Sequence, residues 1–227
     1  KTNAAAVLEQ QLSKPGYRCA PITLGANTDP YQPIEREYKI TRAVLEVLLR
    51  YRHPVTIITK GSLILRDLDL LAELAKQNLI SVFISLTTLD DELKRILEPR
   101  AAAPKARLRA IRVMRDAGIP VGVLCAPMIP MINDMELEGM LAEAKAAGAL
   151  SASYVMLRLP LEVAPLFEEW LHAHYPQRAE HVLSLVRQVR GGEIYDSRFG
   201  VRMRGEGPFA DLLAQRYGMA IKRLGLN

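Results

Sequence analysis

Cysteine is scarce: the 227 residues hold two, Cys19 and Cys125. Thiols so far apart in sequence write neither a disulfide framework nor a local thiolate cluster for zinc or iron, and a reducing cytoplasm is the expected compartment. Long apolar runs are lacking too. None approaches the ~20 residues that a membrane span requires, so no membrane partner is expected. The opening Lys1-Thr2-Asn3 has no initiating Met and none of the basic-then-apolar grammar of a secretion signal, which predicts a chain that begins inside a longer gene product. Low-complexity stretches and fixed-period repeats are also missing. What is present is globular: 49% hydrophobic and 24% charged residues, enough for one large domain or one plus an appendage. Lys and Arg number 30 against 25 Asp and Glu, and the resulting net charge of +5 permits an anionic partner without requiring one.

Short β-branched or apolar runs alternate with longer helical periods. Strands are expected at residues 21–25, 55–60, 81–87, 121–129 and 151–159, each nearly continuously apolar, as parallel strands covered on both faces must be. Helices are expected at 36–51, 67–77, 105–117 and 136–147, with Gly118 and Gly148 as stop signals past the last two. From Leu161 onward the strand signal vanishes, and helices are expected at 167–174, 179–189 and 209–224, with a loop at 195–207. The predicted class is α/β, with parallel strands and crossover helices over 1–160 and a C-terminal helical extension over 161–227. Such sheets close into a barrel or stay open and doubly wound, and in both ligands meet the carboxyl ends of the strands.

Those ends carry a polar set that a purely structural sheet would not need: Asn27, Thr28 and Asp29; Thr59, Lys60 and Ser62; Ser85, Thr87 and Thr88; Asn133; Arg158. The loop from Gly25 to Glu35 gathers polar groups while two prolines fix extended geometry, and Asp29 either caps the following turn or faces a ligand. Lys60 could meet a carboxylate or phosphate, form a Schiff base with a carbonyl substrate as in an aldolase-type lyase, or simply reach into water. Ser85 satisfies backbone or holds a ligand's polar edge. Glu98-Pro99-Arg100, with Pro104 and Arg107, reads as a helix boundary in which Glu98 pairs with Arg107. The run from Ala126 to Asp134 leaves a strand through two prolines, and Asn133 or Asp134 is expected to cap the next helix. Arg158 is expected to project over the strand-end face and bind an anion. Tyr195 to Gly205 interleaves aromatic and basic residues, a composition for stacking on bases while contacting phosphates, or for sealing a barrel or a subunit contact. The four histidines, His53, His172, His174 and His181, lack metal-ligand company, and the first and last read as solvated or capping.

Taken in order, several motifs resemble the radical S-adenosylmethionine (SAM) superfamily, in its spore photoproduct lyase-like, DNA repair photolyase-like branch. They are residues 27–35, Thr59-Lys60-Gly61-Ser62, the Ser85 strand with Glu98-Pro99-Arg100, Gly118 to Val121 leading into Ala126 to Pro130, and Tyr195 to Phe199. The resemblance implies a partial (β/α) barrel. It also implies a 4Fe-4S cluster held by three cysteines spaced C-x-x-x-C-x-x-C after a first strand. That motif is absent here, so residues 1–160 are expected to lack the first strand and cluster loop, with the cluster ligands upstream and this chain alone inactive.

By the same resemblance, the SAM-binding residues are Thr28, Asp29, Lys60, Ser85, Ala126 and Pro127. Lys60 would answer the methionine carboxylate, the hydroxyls would orient ribose or amino group, and Ala126 to Pro130 would lie along the adenine. Asn27, Tyr31, Arg158 and Arg198 are the substrate-binding candidates, with Arg202 and Arg204 near them. Ala26 falls where some photoproduct lyases carry a hydrogen-donating cysteine. The implied reaction of the intact protein is reductive cleavage of SAM to a 5′-deoxyadenosyl radical acting on an unknown, anionic substrate that nucleic acid would satisfy. A flavodoxin or ferredoxin would supply the electron. Two other readings stay open: a Schiff-base lyase using Lys60, and a non-catalytic nucleotide- or nucleic-acid-binding module.

Overall fold

The structure, a computed structural model, describes residues 2–227. In chain order its elements are α1 (Ala4–Leu12), β1 (Ile22–Leu24), α2 (Glu35–Tyr38), α3 (Ile40–Arg50), β2 (Val55–Thr59), α4 (Leu68–Lys76), β3 (Ile80–Leu86), α5 (Asp91–Leu97), α6 (Pro104–Asp116), β4 (Val121–Met128), α7 (Leu137–Ala146), β5 (Ser151–Met156), α8 (Val163–His174), α9 (Ala179–Gln188), α10 (Val201–Arg204) and α11 (Pro208–Leu224). Short 3-10 segments at Ser62–Asp67 and Asp134–Glu136 lead into α4 and α7. The five strands form one sheet in the order β1-β2-β3-β4-β5, every pairing parallel. Sequence neighbours are therefore sheet neighbours, as in an arc cut from a (β/α) barrel, and all five carboxyl ends share one rim.

Strand alternation divides the sheet into two unlike faces. Val55 and Ile57, then Val82, Ile84 and Leu86, then Val121, Val123 and Cys125, then Tyr154 and Met156, face the helices and form the main core. The other face carries Thr56 and Ile58, Ser81 and Phe83, Leu124 and Ala126, Ser153 and Val155, all half-buried and outside that core. A Cβ on Gly122 would lie 2.4 Å from Ser151 Oγ and 2.7 Å from the Phe83 ring, which puts those three on the same concave face. The concave side is lined but not filled.

The C-terminal helices do two different jobs. Helix α11 packs on α7, and its Leu213 and Ala220 join the main core. Helices α8 and α9 bury a second cluster around Phe167, Leu171, Val182, Leu183 and Val186, together with Ile129, Leu157 and Leu159 from the ends of β4 and β5. No helix among the described residues is long and apolar enough to cross a membrane.

The structure corrects three expectations. The helix expected over 36–51 is two helices, broken where Lys39 takes a left-handed backbone (φ 48°). Asn133 and Asp134 do not cap α7. Asn133 accepts from Ile129 N–H (2.7 Å) and donates to the carbonyls of Thr87 (2.7 Å) and Pro127 (2.8 Å), a fully buried knot tying β3 to the exit of β4, while Asp134 receives Met131 N–H (2.6 Å) and Arg216. His53 is buried rather than solvated, hydrogen-bonded to the Tyr17 hydroxyl at 2.7 Å.

Candidate functional site

The loop leaving β1 starts with a close approach. Gly25 has φ 98°, and a Cβ there would meet the Ile58 carbonyl oxygen at 2.0 Å, so only glycine fits. Asp29 then latches the loop to β2: its carboxylate accepts from Thr59 Oγ1 (2.6 Å), Lys60 N–H (2.7 Å) and Tyr31 N–H (2.8 Å). Between these fixed points Ala26, Asn27 and Thr28 are exposed, and among the described residues the side chains of Asn27 and Thr28 find no hydrogen-bond partner. They stand free at the rim. Tyr31 does not: it is 4% exposed and packs into the core, with Asp67 and Arg66 beside it, and burial together with the Asp67 charge raises its phenol. Tyr31 also lines the cavity that Asp29 and Lys60 border.

Across β2, β3 and β4 the rim is joined by one hydrogen-bonded row. Lys60 Nζ donates to Glu98 Oε1, which also accepts from Thr87 Oγ1 (2.8 Å). The Thr87 hydroxyl lies 2.9 Å from the Ala126 carbonyl as well. Arg107 holds the other carboxylate oxygen at 2.6 Å and donates as well to Ala102 O (2.8 Å) and Ser85 O (3.0 Å). Glu98 reaches this position because α5 ends just before it, and Trp170 Nε1 on α8 donates to Ile96 O at 3.1 Å. Burial would push the Glu98 carboxyl up. Lys60 and Arg107 more than reverse this and hold it below the usual carboxylate range.

Lys60, Ser85, Ala126 and Pro127 are thus brought together at adjacent strand ends. Asp29 and Lys60 also line a cavity of about 520 Å³ with Tyr31, Arg36, Gly61 and Arg100. Its charged groups are mostly cationic, since Asp29 is consumed by its own loop, which suits a ligand bearing a carboxylate or phosphate. A Schiff base would require Lys60 to leave its Glu98 partner.

Arg158 and Arg198 lie beyond β5, at the opposite edge of the sheet from β1. Four strand spacings of ~4.8 Å give about 19 Å along the arc. Arg158 approaches Tyr195 Oη (3.4 Å) and Met203 Sδ (3.9 Å). Arg198 is committed to Asp196 (2.6 Å) and Glu206 (2.9 Å), so its fork is already satisfied. The sequence reading missed Glu98 as a ligand of Lys60, since the two are 38 residues apart, and it missed the buried Arg190. Among the described residues no group of three or more His, Cys, Asp or Glu could hold a metal ion. Cys19 is exposed, whereas Cys125 is buried on the convex face with its thiol pushed up to about 12 by burial.

Comparison with known proteins gives a consistent result. A family model described as Radical SAM superfamily matches residues 6–144. An uncharacterised protein of Mycobacterium tuberculosis is 37% identical over 190 residues, covering 83% of this chain and 56% of that protein. The chain therefore spans little more than half the length of that relative. Spore photoproduct lyase complexed with dinucleoside spore photoproduct overlays with a TM-score of 0.68 at 16% identity, over 97% of this chain and 63% of that one. Streptococcus suis SuiB bound to S-adenosylmethionine overlays at 0.52 and 14% identity, over 89% and 37%. At these identities the two structures show a shared fold alone.

Proposed function

The chain belongs to the radical SAM superfamily, and on that premise we propose that its strand-end rim binds S-adenosylmethionine within a radical enzyme of the spore photoproduct lyase-like branch. The observation that carries this reading is the row Lys60, Glu98, Thr87 and Ala126 along three adjacent strand ends, beside an unfilled concave face. In this reading Lys60 meets the methionine carboxylate and Glu98 holds the ammonium in position. Thr28 and Ser85 orient the ribose or amino group, Ala126 and Pro127 pack along the adenine, and Asp29 holds the loop that carries Thr28. Asn27 and Arg158 face an anionic substrate.

An iron-sulfur cluster and S-adenosylmethionine, when bound together, supply a 5′-deoxyadenosyl radical in this superfamily. The described residues do not fit the cluster: one exposed and one deeply buried cysteine cannot provide three neighbouring thiolates. We therefore assign its thiolates to residues outside those described, and an electron donor of the flavodoxin or ferredoxin type to the whole protein.

The test uses the gene product that carries those thiolates, reconstituted anaerobically with iron and sulfide. Reductant-dependent 5′-deoxyadenosine is the expected product, and Lys60→Ala should raise the KM for S-adenosylmethionine about tenfold or more by removing a charge-assisted contact. A cluster-loaded protein that yields none overturns the reading. Borohydride trapping of a carbonyl compound on Lys60 would replace it with the lyase reading.

A further inference from the structure

Four buried side-chain nitrogen or oxygen atoms among the described residues have no hydrogen-bond partner, and three of them are arginine Nε atoms: those of Arg158, Arg190 and Arg202. The three residues come from separate segments, which Arg190 draws together. Arg158 stands two residues past the end of β5. Arg190, just after α9, donates to Leu157 O (2.7 Å), Met156 O (3.4 Å) and Val201 O (2.8 Å), so its guanidinium touches the sequence neighbours of both other arginines. Arg202, on α10, lies over the Phe199 ring at 5.4 Å.

This cluster lacks counter-charge. None of the three forms an ion pair with a carboxylate among the described residues, although Arg198 close by takes two. Arg190 is 2% exposed and bonded only to carbonyls. Burial works against its charge and Arg158 adds repulsion, with Asp196 giving partial relief. A buried Arg190 bonded only to carbonyls, beside two half-buried arginines whose Nε donors are likewise unmet, leaves positive charge that an anion would offset.

We propose that Arg158, Arg190 and Arg202 form a phosphate-binding site at the carboxyl end of β5. A carboxylate presents two coplanar oxygens and is met by one arginine fork, whereas the tetrahedral oxygens of a phosphate can be met by donors arriving from three segments. Phe199, 92% exposed, and Tyr195 offer ring faces beside the site. The phosphate site stands on the geometry alone; naming that phosphate as part of the substrate rests on the proposed function.

The experiment follows the arginine Nε–H signals by 1H–15N NMR while inorganic phosphate is added at constant ionic strength, with chloride and acetate as controls. Saturable shifts of Arg158, Arg190 and Arg202 with phosphate, weakened about tenfold by Arg158→Gln and by Arg202→Gln, are expected. Adenosine 5′-monophosphate and a mixed-sequence single-stranded decanucleotide then separate a small phosphoester from a phosphodiester chain, and tighter binding of either supports the site. Equal shifts with chloride or acetate, no shifts, or shifts indifferent to both substitutions overturn it. Arg190 is left intact because its carbonyl bonds hold the segment in place. The titration needs neither cluster nor S-adenosylmethionine: binding without 5′-deoxyadenosine formation would sink only the proposed function, and the converse only this site.

Discussion

At the scale of single residues, Glu98 is the side chain on which most depends. Removing it leaves Arg107, itself 2% exposed, as an uncompensated buried charge. Glu98→Ala should lower stability by about 3–5 kcal/mol in urea denaturation, and Glu98→Gln by less, since it keeps an acceptor. Because the folded state holds the Glu98 proton more weakly than the unfolded chain does, the stabilisation is full above the ordinary value of 4.5 and is lost as pH falls below it through the folded-state value. A denaturation series from pH 7 to pH 3 should therefore show a loss that Glu98→Gln flattens. The Glu98–Arg107 pair was legible in the sequence because nine residues and a helix start separate its members. Lys60 as third partner was not, since the pairing arises only when β2 and β3 lie side by side. A simpler check concerns the thiols: a bulky maleimide should label Cys19 alone in the folded protein and Cys125 only after unfolding.

At the scale of elements, the two faces of the sheet make opposite predictions for neighbouring residues. Ile84, 1% exposed on the convex face, should cost about 2–5 kcal/mol when cut to Ala. Phe83, the larger side chain but on the open face, should cost below about 2 kcal/mol, because its surface is only partly withdrawn from water. Equal losses would mean that the concave side is packed solid. The strands were legible to within about three residues at each end, because the buried convex face and several apolar residues on the concave face together read as apolar runs. Helices α1 and α5 were not read, nor was the short α10, which lies inside the expected loop 195–207. Helix α1 has Leu12 as its one buried residue, α5 buries only Leu93 and α10 buries none, so none writes a strong apolar period. The polar strand ends were legible as a set, but their division into a latch at Asp29, a row at Lys60 and a separate arginine cluster was not. That division depends on which loops fold back.

At the scale of the whole molecule, stability is unevenly spread between the two apolar clusters. The larger one binds all five strands to α3, α4, α6, α7 and α11, whereas the smaller one joins α8 and α9 to the rim. Amide hydrogen exchange should accordingly be faster in α8 and α9 than in β2, β3 and β4, with sub-global opening of the smaller unit preceding global unfolding. Exchange at a single common rate would contradict this. The strand order has a consequence for how the protein is made. Each strand is laid against the one synthesised just before it, so no later segment must wedge between two already paired. A nascent chain leaving the ribosome can extend its sheet by one edge at a time, each closure spanning a single crossover connection, whose entropy cost grows only slowly with its length.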